Sequence, residues 1–452
     1  MRFITMFILA CVASIAAPFS QMEVFRSGEG GYHTYRIPAL IVSAKGTLLA
    51  FCEGRKNGGG DAGKIDLLLR RSVDQGKTWG AIQTVAEMGE DTIGNPAPVV
   101  DRKTGAIILL MTHNPGKINE RQIETGEGAR TVWITRSKDD GLTWSKPEEI
   151  TKHVKKPDWT WYATGPGNGI QLKSGRLLIA CDHTRAGNKE RHSHLILSDD
   201  HGATWRIGAI AEEKTNESTV AEARDGSLVF NMRSYHGKNL RAVQRSSDGG
   251  LALQPLTMDE TLIEPVCQAS LIAAVPAGKR PNGVMLFSNP AAKTRTNMTV
   301  RLSKDDGRTW SAAKVIHAGP AAYSSLAILP NKSVGLLYER GEKRAYEVIT
   351  FAVFELPWLT ASWNDKKYPE FNTAKLTELK ETGDEIRISV TLGRGAHEGS
   401  MKRGAKPLAL HADQDILFAE TPKCLYVRDN EGKLLKFKYL GHSSLPVPPA
   451  KK

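Results

Sequence analysis

The residues that could do chemistry are arginines, carboxylates and one tyrosine, each in a short distinctive setting. Arg36 sits in Tyr35-Arg36-Ile37-Pro38-Ala39-Leu40. Glu53-Gly54-Arg55 is followed by Gly58-Gly59-Gly60 and Asp61, with Asp66 a few residues on. Further along come Asn216-Glu217-Ser218 with Glu222, Asn231-Met232-Arg233-Ser234, and a segment holding Arg295 and Arg301. Ala322-Tyr323-Ser324-Ser325 and Leu337-Tyr338-Glu339 complete the series. An arginine fork matches a carboxylate, and a positioned carboxyl can move a proton. Taken singly, Arg36 reads as a surface arginine in a strand and Tyr323 as a core or interface aromatic. His183, His192 and His194 lack metal-ligand spacing and read as structural or rim residues. Cys52, Cys181, Cys267 and Cys424 are far apart, with no Cys-x-x-Cys pair. They predict buried thiols in strands, not a zinc site or a disulfide framework.

The elements that must position these groups are marked by a recurring octet, Ser-x-Asp-x-Gly-x-Thr-Trp. It begins at Ser72, Ser137, Ser198 and Ser303. A degraded copy at Ser246 keeps Asp248 and Gly250 but has Ala252 and Leu253 in place of Thr and Trp. Four of the copies follow strand-like runs: Ile65 to Leu69, Thr131 to Thr135, Ser193 to Leu197 and Met298 to Leu302. The aspartate is expected to accept backbone N–H bonds within a turn, the glycine to take a conformation closed to other residues, and the tryptophan to pack back on the strands. These aspartates are therefore structural. Copies roughly 48 to 65 residues apart suggest four-stranded propeller blades, and that spacing from about residue 22 to 362 gives six. The expected fold is all-β, a six-bladed β-propeller over 21–362 with a small C-terminal β appendage over 363–452. In the appendage, Asp429-Asn430-Glu431-Gly432 reads as a hairpin turn.

The octet is the Asp-box, and with the segments above the chain resembles the sialidase family over about residues 22–360. The resemblance implies an exo-α-sialidase acting on sialylated glycans. By it, Arg36, Arg233 and Arg295 bind the sugar's carboxylate, Arg55 lines the pocket beside O4, and Glu339 orients Arg36. Arg301 lies instead in the strand leading to the last octet. Asp61 is the general acid/base, Glu217 the base (with Glu222 as alternative), and Tyr323 the nucleophile. A neutral nucleophile suits a carboxylate-bearing anomeric carbon, and sialidases are known to use tyrosine. Its phenol, of pKa ~10, needs a base. The resemblance departs from many relatives at Ser218-Thr219, where Cys-Gln is common. More loosely, Asn95-Pro96-Ala97-Pro98-Val99 with Asp101 resembles a loop near the N-acyl and O4 side. Trp159 and Trp161 stand before Gly165-Pro166-Gly167-Asn168-Gly169, as an aglycone platform or as packing. Alternatives on the same scaffold are a trans-sialidase, a hydrolase of another 2-keto-acid sugar, or a non-catalytic sialoglycan-binding propeller.

No cofactor or metal is implied. The net charge of +12 is scattered. Without a dense basic run carrying aromatics, nucleic acid is not an expected partner, and a solvated basic surface explains the charge. Arg2 and the apolar stretch Phe3 to Ala17, with Ser14 and Ala16 at −3 and −1 of a cleavage site, read residues 1–20 as a secretory signal. About fifteen apolar residues fall short of a membrane span, and no later segment reaches that length. Ile8-Leu9-Ala10-Cys11 resembles a lipobox, which would leave a very short apolar region. The expected location is secreted or periplasmic.

Overall fold

A computed structural model describes residues 19–274, 284–360, 372–392, 395–402, 410, 414–420, 424–428 and 434–444. The signal segment through Pro18, with Cys11, and the Asp429-to-Gly432 turn lie outside the described residues. The protein is all-β, with short helices only, and forms two compact units, one spanning Gln21–Asp365 and one holding Lys366–Lys452.

In the larger unit the strands run up and down in antiparallel order. Thr34–Val42, Leu48–Arg55, Ile65–Ser72 and Gln83–Ala86 form one run. Thr92–Val100, Ile107–Asn114, Thr131–Ser137 and Glu148–Glu149 form the next. The parallel pair Ile65↔Thr92 joins them into an eight-stranded sheet. A five-stranded sheet over Trp159 to Glu213 follows, then a four-stranded one from Thr215–Glu222 to Thr257–Ile263. The seven-stranded sheet turns on the long strand Ala312–Ile328. Its first half pairs with Thr296–Ser303 and its second with Val334–Arg340, and Phe19–Arg26 lies beside Val348–Phe354 at the edge.

The octets close the turn after the third strand of each run, as their chemistry predicts. In the first, Ser72 Oγ donates to Asp74 Oδ1 (2.8 Å) and accepts from Gly76 N, while Asp74 accepts from the N–H and hydroxyl of Thr78 (2.9 and 2.6 Å). These bonds, the Thr78 hydroxyl first, hold the Asp74 carboxyl down to about 2. Gly76 has φ +86°, and a Cβ there would meet Phe351 Cε1 at 2.1 Å. The degraded copy keeps the turn, since Asp248 still accepts from Leu251 N and Ala252 N; of the turn's bonds it loses the threonine hydroxyl's, and Leu253 stands in for the tryptophan.

The first strands of most runs are almost wholly buried, Thr34–Val42 and Thr92–Val100 among them; Ser270–Ala273 is half so. Strands covered on both faces read as continuous apolar runs. Neighbouring first strands share no main-chain ladder, so side chains satisfy their backbone groups. Leu40 N donates to Ser325 Oγ, Thr164 Oγ1 to Asn95 O, Thr219 Oγ1 to Leu271 O, and Leu326 N to Ser270 Oγ. Cys52 and Cys181 are buried free thiols in strands, as expected; Cys267 is equally buried but lies in the loop before Ser270–Ala273.

The histidines form a packed cluster. His183 stacks on Trp159 at 3.5 Å between ring centroids, and His194 Nε2 meets the Tyr162 hydroxyl at 3.0 Å. Burial, then the neighbouring His192, pushes the His194 imidazole down to about 3; His183 is pushed down as well. The unfolded chain therefore binds protons here below the ordinary histidine pKa of ~6.5, while the folded one does not. Stability is expected to fall as pH drops from about 6.5 towards 3. In His194→Phe, urea unfolding at pH 7 and pH 4 should show a smaller loss than in wild type.

The second unit is a closed barrel, in the order Asn372–Thr382, Glu385–Leu392, Gly395–Lys402, Leu434–Ser444, Cys424–Arg428, Gln414–Glu420. Its core contains Leu376, Ile388, Val390, Val427 and Phe437.

Candidate active site

The ends of several first strands converge on a cavity of about 170 Å³ lined largely by charged and polar groups. Arg36 enters from Thr34–Val42, next to Ile37, whose φ is +61°. A β-branched residue in that region is strained and must be held by its surroundings. Glu339, fully buried on Val334–Arg340, does the holding. Its Oε1 accepts from Arg36 Nε and Ile37 N (both 2.8 Å), and its Oε2 from Tyr323 N (3.0 Å). One carboxylate thus fixes an arginine and two backbone positions.

Tyr323 lies under the arginines, on the second half of Ala312–Ile328. Its hydroxyl donates to Glu217 Oε1 at 2.5 Å. Glu217 Oε2 accepts from Arg233 Nη1 at 2.7 Å, and that nitrogen lies 3.4 Å from the phenol oxygen. Burial, then the Glu217 charge, lifts the Tyr323 phenol well above its ordinary value, with Arg233 opposing. The proton therefore rests on the phenol, with a carboxylate positioned to receive it. The guanidinium of Arg36 stands 5.0 Å from the Tyr323 ring centroid and that of Arg295 5.5 Å, while Arg295 Nη1 donates to Tyr346 Oη at 2.6 Å.

Opposite, Arg55 is clamped by Glu53 (Nη2 to Oε2, 2.7 Å) and by the Gly59 carbonyl, and its Nη1 pairs with Asp61 Oδ1 at 2.7 Å. Asp61 lies 3.9 Å from Arg36 Nη1, with its side chain 66% exposed. Desolvation at the cavity mouth pushes its carboxyl up, but Arg55 and then Arg36 outweigh it and leave it below the usual carboxylate range. The cavity therefore gathers Arg36, Arg55, Asp61, Glu217, Arg233, Arg295 and Tyr323, with Glu339 directly behind Arg36.

The matching family model, the BNR repeat-like domain, covers residues 46–337. A sialidase of Micromonospora viridifaciens is 35% identical, over 75% of this chain and 54% of its own length. An exo-alpha-sialidase of Aspergillus fumigatus is 30% identical, over 77% of this chain and 93% of its own. This chain belongs to the sialidase family. It spans only about half the length of the Micromonospora sialidase. Among solved structures, the Hadza microbial sialidase Hz136 matches with a TM-score of 0.68 and 34% identity, over 75% of this chain and 69% of that one.

Asp101, placed near the substrate by resemblance, falls outside this cavity and is a correction. It follows the far end of Thr92–Val100, whereas Asn95 near the start lines the cavity. Six residues of strand separate the two by ~20 Å. Asp101 is fully buried, bonded to Thr104, Gln171 and His201; burial would raise its carboxyl, but these donors bring it to about 2. It builds a turn. The alternative base Glu222 caps Lys173 N outside the cavity; Asp66 accepts from Tyr32 Oη, and Arg301, as read from the sequence, lies in Thr296–Ser303 and not in the cavity lining. The two tryptophans divide the open reading between them: Trp159 packs on histidines, and Trp161 lines the cavity with Arg130 4.0 Å above its ring. Sequence reasoning missed Glu53, Arg130, Asp182, Asn216 and Tyr346. Glu53 and Asn216 stood in quoted motifs, where their roles were unassigned.

Proposed function

We propose that this chain is a retaining exo-α-sialidase on a six-bladed β-propeller, exported and acting on sialylated glycans. The observation that carries the reading is the Tyr323–Glu217 pair at 2.5 Å beneath three arginines. The antiparallel four-strand runs, with Phe19–Arg26 adding the outer strand to the last, support the propeller. Export rests on the residue 1–20 segment.

In this reading Arg36, Arg233 and Arg295 clamp the sugar's carboxylate, each charge-assisted bond contributing about 1.5–3 kcal/mol. Tyr323 gives its proton to Glu217 and its oxygen attacks the anomeric carbon. The bond to the aglycone oxygen breaks as Asp61 protonates that oxygen. Water then attacks the same carbon and gives a proton to Asp61, while the tyrosyl oxygen leaves and recovers its proton from Glu217. Two displacements give net retention. The ion pairs of Asp61 with Arg55 and Arg36 favour its ionised form. A substrate carboxylate on Arg36 offsets part of that attraction, raising Asp61 towards the protonated form the first step needs.

The test is release of the fluorophore from an α-sialoside by the purified mature chain, with the first-formed sugar anomer read by proton NMR. Release of the α anomer is expected. No release by a folded chain overturns the reading, and delivery of the sugar to an added acceptor instead of water makes the protein a trans-sialidase. On the same assay Asp101→Ala is expected to leave KM unchanged while lowering unfolding free energy by about 1–3 kcal/mol; a raised KM would return Asp101 to the site.

A further inference from the structure

Of the carboxyls lining the cavity, Glu53, Glu120 and Asp182 take no part in the steps above. Asp182 lies on Leu177–Arg185, lines the cavity and is 1% exposed. Its Oδ1 accepts from Asn216 Nδ2 at 2.8 Å. Its Oδ2 is buried with no hydrogen-bond partner. An orphaned buried oxygen is costly, and no hydrogen bond joins it to its charged neighbours, although Arg130 Nε and Arg233 Nε also lack a partner. Arg130 donates to Asn95, Asn114 and Thr112, and Arg233 to Glu217.

We propose that Asp182 binds the sugar as a neutral carboxylic acid, donating from Oδ2 to an acceptor oxygen, a hydroxyl or an amide carbonyl, and so determines which sugars the cavity accepts. This rests on the sialidase reading of the cavity. With Oδ1 already accepting, the proton sits on Oδ2 and has no protein acceptor. The groups that face Asp182 are Glu217 and Asn216 on Thr215–Glu222, Arg233 on Leu228–Ser234, Glu120 at the start of Glu120–Glu124, and Arg130. Burial first, then Glu217 and Glu120, push its carboxyl well above the usual range, against the opposing pull of Arg233 and Arg130. A carboxylic acid kept neutral by its site is a strong donor at pH 7. A sugar lacking an oxygen at this position leaves that donor unpaired, which discriminates more sharply than a change of shape.

The test has two arms. Infrared difference spectra of substrate-free wild type against Asp182→Asn at neutral pH are expected to show the carbonyl band of a protonated carboxyl that the variant lacks. Absence of that band overturns the proposal without reference to any substrate. In the kinetic arm, Asp182→Asn presents an amide N–H in the same direction and is expected to hold KM within about threefold of wild type. Asp182→Leu should raise KM by about tenfold or more, with a smaller change in kcat. Wild-type KM should rise on the alkaline side as Asp182 ionises, and this limb should vanish in Asp182→Asn. An unchanged KM in folded Asp182→Leu, or a limb that survives in Asp182→Asn, overturns the proposal. If the folded wild type releases no sialic acid, the sialidase reading fails first and takes with it the ligand this proposal requires.

Discussion

Tyr323→Phe is expected to lower kcat on a fluorogenic α-sialoside by ~10³-fold or more, because a nucleophile that acts as a unit with its base is lost whole. The ring remains to fill the space beneath Arg36 and Arg295, so KM should change little. The fold should also hold. Glu217 loses one bond but keeps Arg233 at 2.7 Å, and the melting temperature should move by only a few degrees. Kinetics and a thermal melt on the same preparation check both parts. A variant retaining more than about a tenth of wild-type kcat would remove Tyr323 from the chemistry.

Glu339→Ala carries the second large effect, on stability as well as activity. Removing one partner of a buried ion pair costs about 3–5 kcal/mol, because the other charge is left uncompensated. Here that charge is Arg36, 6% exposed, and two backbone N–H groups lose their acceptor with it. One of these belongs to Ile37, whose left-handed backbone is held by the bond, and the other to Tyr323. Loss of kcat/KM by about 10²-fold or more is expected from the displaced arginine and nucleophile together. Glu339→Gln keeps the shape and should fall between the two. Urea unfolding and kcat/KM are the measurements. A Glu339→Ala protein within about 1 kcal/mol of wild type would show that Arg36 finds another partner and that Glu339 does not position the site.

Much of this arrangement was legible because it is written locally. The octet is a turn whose bonds run between residues two to four apart, as in Ser72, Asp74, Gly76 and Thr78, so it survives in the sequence as a pattern. The arginines and Tyr323 sit in short family motifs. What could not be read were groups whose role depends on contacts between distant segments. Arg130 follows Gly126-Glu127-Gly128-Ala129 and looks like loop sequence; only the fold puts it over Trp161 and against Asn95 and Asn114. Asp182 stands in a strand next to histidines, and nothing nearby announces a buried oxygen without a partner. Asp101 failed for the opposite reason. It is close in sequence to Asn95, but a nine-residue strand carries the two to opposite ends of the sheet.

The central claim is a covalent bond between Tyr323 and the sugar. Rapid quenching during turnover of an activated α-sialoside, followed by intact-mass and peptide analysis, tests it directly. The account predicts one sialyl unit added to the protein, located on the peptide that carries Tyr323 and missing in Tyr323→Phe. Steady turnover with no adduct, together with a first-formed product of inverted configuration, would contradict it.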